Sequence, residues 1–121
     1  MINVLIIDDS PTEIYKLTTI LEKSHYSVQV ANSGEEGLIM AQTTPPDIIL
    51  MDVVMPGVNG FQATRQLSRN DVTKHIPVVI VSTKDQATDK VWGMRQGACA
   101  YLVKPVSEVQ LLKAVSDALA G

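Results

Sequence analysis

The sequence has one cysteine, few aromatic residues and no long apolar run. Cys99 is the only cysteine among 121 residues, so no disulfide can form within the chain. The apolar stretch from Ile48 to Met55 is interrupted by Asp52 and ends at Pro56, well short of the roughly 20 residues of a membrane span. The first residues carry neither a basic stretch nor a signal-peptide cleavage pattern. We therefore expect a cytoplasmic protein without membrane insertion.

An excess of positive charge is also lacking. The chain has 10 Lys and Arg against 13 Asp and Glu, for a formal net charge of −3. A mildly acidic chain is a poor candidate for nucleic-acid binding, which depends on neutralising phosphates. The length fits one compact domain. We expect residues 1–121 to form a stand-alone domain, with no output domain, that is a monomer or weak dimer.

Five short, β-branched and nearly continuous apolar runs predict strands. Such runs are typical of parallel strands that are covered by helices on both faces. The predicted strands are residues 3–7, 27–31, 47–51, 77–81 and 98–103.

Helix-start patterns lie between the strands. Capping boxes begin at Ser10, Ser33 and Ser107, and Asn59 begins a third helix. Residues 85–96 form the remaining predicted helix, which ends at Gly97. We predict that this helix turns its apolar stripe toward the core; the stripe consists of Ala87, Val91 and Met94. The alternation predicts a single (βα)5 doubly wound α/β fold with right-handed crossovers.

Polar residues follow four of the predicted strands. They are Asp8 and Asp9, Asp52, Ser82 and Thr83, and Lys104. In open α/β sheets, ligands bind beyond the carboxyl ends of the strands. If the first and third strands are neighbours, three carboxylates meet in one pocket. An all-oxygen ligand set favours Mg²⁺ or Mn²⁺.

The same pocket holds the parts of a phosphoryl-transfer site. Lys104 supplies a compact positive charge for a phosphate, and Ser82 can donate its hydroxyl to a phosphate oxygen. Backbone N–H groups at Val53, Val54 and Thr83 can surround the remaining oxygens. Asp52 stands alone after its strand and is placed to act as the nucleophile.

With these residues in this order, the sequence resembles the CheY-like receiver family over its whole length. The acid pair matches Asp8 and Asp9, and the phosphoacceptor matches Asp52. The hydroxyl residue matches Ser82, and the lysine matches Lys104. The resemblance implies the flavodoxin-like strand order 2-1-3-4-5 and Asp52 as the residue that is phosphorylated.

The resemblance implies further details of the site. The Lys104–Pro105 peptide bond is expected to be cis. The backbone carbonyl of Val54 is expected to join the metal ligands. Thr83 stands where the family usually has a smaller residue, and the apolar Val54 departs from members with a polar side chain there. The lifetime of the phosphorylated state therefore stays open.

A narrower resemblance, to PilH-type regulators of type IV pilus twitching motility, rests on residues 9–13, 60–67, 84–86 and 89–93. It implies a sensor histidine kinase of the CheA-like type as phosphoryl donor. The signal is expected to leave through the face of helix 4, strand 5 and helix 5, unless the domain only drains phosphate. Tyr101 either swings as a switch aromatic or stays partly buried. Trp92 is expected to be partly exposed, either anchoring a partner or lying across its helix.

Two other classes fit parts of the pattern. A flavodoxin-like electron carrier needs a Ser/Thr/Gly-rich phosphate loop after the first strand and aromatic residues around the flavin, but aromatics make up 4% of this chain. An aspartate-nucleophile phosphatase needs a second acid two residues after the nucleophile, where Val54 stands. We therefore expect self-catalysed phosphotransfer and slow autodephosphorylation without enzymatic turnover. Cys99 is expected to be a small core residue.

Overall fold

The computed structural model describes all 121 residues and contains five strands, each followed by a helix. The elements are β1 (Asn3–Ile7), α1 (Pro11–Lys23), β2 (Ser27–Ala31), α2 (Gly34–Thr43), β3 (Ile48–Met51), α3 (Gly60–Arg69), β4 (Val78–Ser82), α4 (Ala87–Gln96), β5 (Ala100–Val103) and α5 (Glu108–Ala120). The strands form one parallel sheet in the order β2-β1-β3-β4-β5. This confirms the predicted fold class and strand order.

The central strands are apolar without a break because each one fills two cores. On β1, Leu5 and Ile7 pack in the core under α2 and α3, whereas Val4 and Ile6 pack in the core under α1 and α5. All four side chains are fully buried. Burial of each such aliphatic side chain contributes about 1.5–3 kcal/mol. The sheet is therefore held rigidly at its centre, next to the strand ends that carry the polar residues.

The helix starts follow the predicted caps. The side chains of Ser10, Ser33, Asn59 and Ser107 each accept a hydrogen bond from the backbone N–H three residues later. These bonds satisfy N–H groups that have no acceptor within the helix.

The inner face predicted for α4 is wrong. The helix begins at Ala87, two residues later than predicted, and Val91 and Met94 are about half exposed. The buried side instead carries Gly93 and Gln96.

Close approach of α4 to the sheet explains this orientation. A Cβ atom on Gly93 would lie 2.8 Å from Cδ1 of Ile80 and 3.0 Å from Cδ2 of Tyr101. A larger residue here would require the side chains of Ile80 and Tyr101 to move away from the helix. The small residue therefore decides which side of α4 faces inward, and the apolar stripe is left on the outside.

Cys99 is exposed, so its predicted place in the core is also wrong. It precedes β5, which begins at Ala100, two residues later than predicted. The Cys99 N–H donates to the carbonyl of Val78 at 2.9 Å. Because β5 is an edge strand, no further strand covers this position. The longest helices have 13 residues each, and none has the length and apolarity of a membrane span.

Candidate functional site

Three carboxylates meet beyond the ends of β1 and β3, which are neighbouring strands. The Asp8 N–H donates to the carbonyl of Ala31 at 3.1 Å, and the Asp52 N–H donates to the carbonyl of Ile7 at 2.9 Å. Each aspartate thus continues the backbone pairing one residue past its strand. Carboxylate oxygens of Asp8, Asp9 and Asp52 lie within 4.8 Å of one another. The structure therefore brings the predicted acidic residues together.

Lys104 joins this cluster from the end of β5. Its backbone N–H donates to the carbonyl of Ser82 at 2.8 Å. Its Nζ donates to Asp8 Oδ2 at 2.9 Å and to Asp52 Oδ1 at 3.3 Å. All three side chains are at least nine-tenths buried. The Lys104–Pro105 peptide bond is cis, as the family resemblance implies.

The surroundings of Asp52 disfavour its negative charge. Burial and the neighbouring charge of Asp8 raise the pKa of the Asp52 carboxyl from 3.8 to about 6, although Lys104 acts in the opposite direction. Burial alone would lower the pKa of Lys104, but the hydrogen bond to Asp8 and the charge of Asp52 outweigh it and raise that pKa. One buried ammonium therefore only partly compensates the acidic cluster.

Unpaired backbone groups surround Asp52. Val54 is exposed, and its N–H and carbonyl make no hydrogen bond within the chain. The Thr83 N–H also has no acceptor within the chain, and its side chain is exposed. These groups are thus free to bind a ligand at the strand ends.

Gly60 holds the backbone that carries Asp52, which the sequence pattern did not indicate. Its N–H donates to the carbonyl of Val53 at 3.0 Å. A Cβ atom at this position would fall on the carbonyl oxygen of Asp52 and lie 2.7 Å from Cα of Val53. A glycine directly after the N-cap Asn59 is the sequence signal that could have found it.

Ser82 and Tyr101 are linked through the backbone of Lys84. Ser82 is buried, and its Oγ accepts a hydrogen bond from the Lys84 N–H at 3.1 Å. The Tyr101 hydroxyl donates to the carbonyl of Lys84 at 2.8 Å. Burial raises the pKa of Tyr101. Trp92 lies on the outer side of α4 with 48% of its surface exposed, as predicted.

Comparison with protein families and sequences gives consistent matches. The family model of the response regulator receiver domain matches residues 4–116. Protein PilH of Pseudomonas aeruginosa is 59% identical over 121 residues, which is 100% of both chains. Response regulator PleD of Caulobacter vibrioides is 38% identical over 112 residues, but this match covers 93% of the present chain and 25% of PleD.

Solved structures also match over nearly the whole chain. Chemotaxis protein CheY4 of Vibrio cholerae has a TM-score of 0.91 and 31% identity, with 98% of each chain covered. A putative response regulator from Chloroflexus aurantiacus has a TM-score of 0.95 and 31% identity, again with 98% of each chain covered.

Proposed function

Because the chain belongs to the response regulator receiver family and is homologous to protein PilH, we propose that it is the phosphoacceptor of a two-component phosphorelay, with Asp52 as the phosphorylated residue. The observation that carries this proposal is the convergence of Asp8, Asp9 and Asp52 within 4.8 Å, with Nζ of Lys104 bound to two of them. Carboxylates without a thiolate or imidazole among them are typical of a site for a hard cation and a phosphate.

The donor set fits a Mg²⁺ ion, or Mn²⁺ in its place. Asp8, Asp9 and Asp52 would hold the ion with carboxylate oxygens, and Val54 with its free backbone carbonyl. Burial and the charge of Asp8 raise the pKa of Asp52, and a cation beside this carboxylate would favour its charged form. When bound, the ion supplies positive charge that offsets charge on a transferring phosphoryl group.

The proposed reaction is one in-line displacement. An Asp52 carboxylate oxygen attacks the phosphorus of a kinase phosphohistidine, and the P–N bond breaks. The bonding electron pair leaves with the imidazole, and the product is an acyl phosphate on Asp52. Lys104 neutralises phosphoryl oxygens, while the Ser82 hydroxyl and the free amides of Val54 and Thr83 donate to them. Each chain accepts one group and loses it slowly to water, so this is signalling rather than enzymatic turnover.

The link between Ser82 and Tyr101 supports a conformational output. If the Ser82 hydroxyl turns toward the phosphoryl group, the Lys84 N–H loses its acceptor, and the Lys84 carbonyl that binds Tyr101 is free to move. We propose that this shift biases the surface of α4, β5 and α5, where Tyr101 and Trp92 lie. A partner that binds this face noncovalently would read the signal. A phosphate sink would accept the group without such a partner.

The pathway is proposed from the similarity to PilH. We propose that a histidine kinase of the CheA-like type phosphorylates the domain in the cytoplasm, in type IV pilus twitching or chemotaxis-like control. The 59% sequence identity to protein PilH, which extends over the whole length of both chains, supports a single receiver domain at residues 1–121. The likeness to chemotaxis protein CheY4 supports the chemotaxis-like alternative.

Incubation with acetyl phosphate and Mg²⁺, followed by intact mass measurement, tests the proposal. The wild type should gain the mass of one phosphoryl group, and Asp52→Asn should not. Asp71→Asn is the matched control, because this side chain is 93% exposed and lies outside the site. Equal modification of Asp52→Asn would refute the assignment. Sustained hydrolysis of a phosphate ester would instead support a phosphatase, and visible absorbance of the purified protein would support a flavin carrier.

A further inference from the structure

Glu13, in the first turn of α1, carries a carboxylate oxygen that is buried without a partner. Its Oε2 is inaccessible to solvent and accepts no hydrogen bond. A buried carboxylate oxygen without a donor is costly, so such groups normally have one. Glu13 is four residues beyond Asp9, where the chain turns from β1 into α1.

Asp8 explains why this carboxylate is free. In a capping box, a Glu three residues after the N-cap accepts the N-cap N–H. Here the Ser10 N–H instead donates to Asp8 Oδ1 at 2.9 Å. Ser10 Oγ still accepts the Glu13 N–H at 3.4 Å, so the backbone of Glu13 keeps its capping position. The side chain loses its usual donor to a residue of the acidic site.

Three other helices, α3, α4 and α5, show the arrangement that is absent in α1, whereas α2 lacks it as well. In α3, Gln62 Oε1 accepts the Asn59 N–H at 3.0 Å. In α5, Gln110 Oε1 accepts the Ser107 N–H at 3.0 Å. Of the two helices without the reciprocal bond, only α1 has its N-cap amide bound by a carboxylate of the acidic site.

The Glu13 carboxylate also acts on Lys104. Besides the hydrogen bond to Asp8 and the charge of Asp52, the charge of Glu13 raises the pKa of Lys104. Glu13 therefore lies within electrostatic reach of the ammonium that Asp8 and Asp52 share. Three carboxylates, those of Asp8, Asp52 and Glu13, thus act on one buried ammonium.

We propose that Glu13 is a positioning residue, a fourth carboxylate that raises the affinity of the acidic site for a divalent cation without being one of its three carboxylate ligands. This inference rests on the proposed function. An additional negative charge in a partly buried site strengthens cation binding. A hydrated cation also brings water O–H donors, which the unpartnered Oε2 lacks.

Calorimetric titration of the unphosphorylated protein with Mg²⁺ tests this role. Glu13→Gln and Glu13→Ala should each raise the Kd for Mg²⁺ about fivefold, whereas Glu13→Asp, which keeps the charge, should stay within about twofold of the wild type. Glu36→Gln is the matched control. Glu36 also follows its N-cap by three residues and donates its N–H to Ser33 Oγ at 3.1 Å, but its side chain is exposed. It should leave the Kd unchanged.

The outcomes separate this inference from the proposed function. Equal Kd values for Glu13→Gln, Glu13→Ala and Glu36→Gln would overturn the role of Glu13, while phosphorylation at Asp52 would still stand. An equal rise of the Kd in Glu36→Gln would also overturn it, because loss of any nearby negative charge would then weaken Mg²⁺ binding as much. If the wild type neither binds Mg²⁺ nor gains a phosphoryl group from acetyl phosphate, the proposed function itself fails. Thermal unfolding of each variant verifies that it is folded.

Discussion

Replacement of Asp52 by Asn should stabilise the Mg²⁺-free protein, and should do so more at high pH than at low pH. In the folded state, burial and the charge of Asp8 raise the pKa of this carboxyl to about 6 from the ordinary 3.8. Its protonated form therefore contributes stability that is fully present below pH 3.8 and is lost as the pH rises through about 6. An amide at this position carries no charge to lose, and its oxygen can still accept from Lys104.

The magnitude follows from the size of the pKa change. A rise from 3.8 to about 6 corresponds to about 3 kcal/mol between the acidic and alkaline limits. About 1.4 kcal/mol of this is lost between about pH 5 and about pH 8. The difference in unfolding free energy between Asp52→Asn and the wild type should therefore grow by about 1.4 kcal/mol over that interval.

Urea unfolding in EDTA at these two pH values measures this difference. Asp71→Asn serves as the control for the change in net charge, because its side chain is 93% exposed. Saturating Mg²⁺ should reverse the advantage of Asp52→Asn, since only the wild type keeps the full set of carboxylates. A variant that is destabilised at both pH values, or whose advantage shrinks as the pH rises, would refute the reasoning.

Three further predictions concern the same region. Gly60→Ala should lower the free energy of unfolding by about 2–4 kcal/mol and slow phosphorylation, because the added methyl group displaces the Asp52 carbonyl; normal stability in urea would contradict the packing. Lys104→Met should destabilise the EDTA-treated protein by about 2 kcal/mol, because Asp8 and Asp52 lose their buried positive partner. Mg²⁺ should restore much of this loss, which thermal unfolding with and without the ion can measure. Tyr101→Phe should cost about 0.5–1 kcal/mol by removing the hydrogen bond to the Lys84 carbonyl, and an unchanged urea midpoint would argue against that bond.

The convergence of the site could be predicted because it depends on topology. Parallel strands place their carboxyl ends along one edge of the sheet, so Asp8, Asp52 and Lys104 meet whenever β1, β3 and β5 take their observed places. Composition and periodicity alone predict the strands but not their order. The family resemblance is what implies the order.

Packing details could not be read from the pattern. The period of α4 identifies an apolar stripe but does not say which side of the helix approaches the sheet, and Gly93 decides that through the space beside Ile80. Cys99 is exposed because its strand lies at the edge of the sheet.

Competition for hydrogen bonds is equally hidden from the sequence. Ser10 and Glu13 have the spacing of a full capping box, yet the Ser10 amide binds Asp8 instead. Only the three-dimensional position of the Asp8 carboxylate decides between the two acceptors. The spacing therefore predicts where α1 starts and misses the unpartnered carboxylate oxygen in its first turn.

Locating the phosphorylated residue tests most directly whether Asp52 accepts the phosphoryl group. Borohydride reduces an aspartyl phosphate to homoserine, so the protein treated with acetyl phosphate and Mg²⁺ can be reduced, digested and sequenced by mass spectrometry. Homoserine should be found at position 52 and nowhere else, and its formation should require the divalent ion. Homoserine at another aspartate, or at position 52 to the same extent without any divalent ion, would contradict the proposed chemistry.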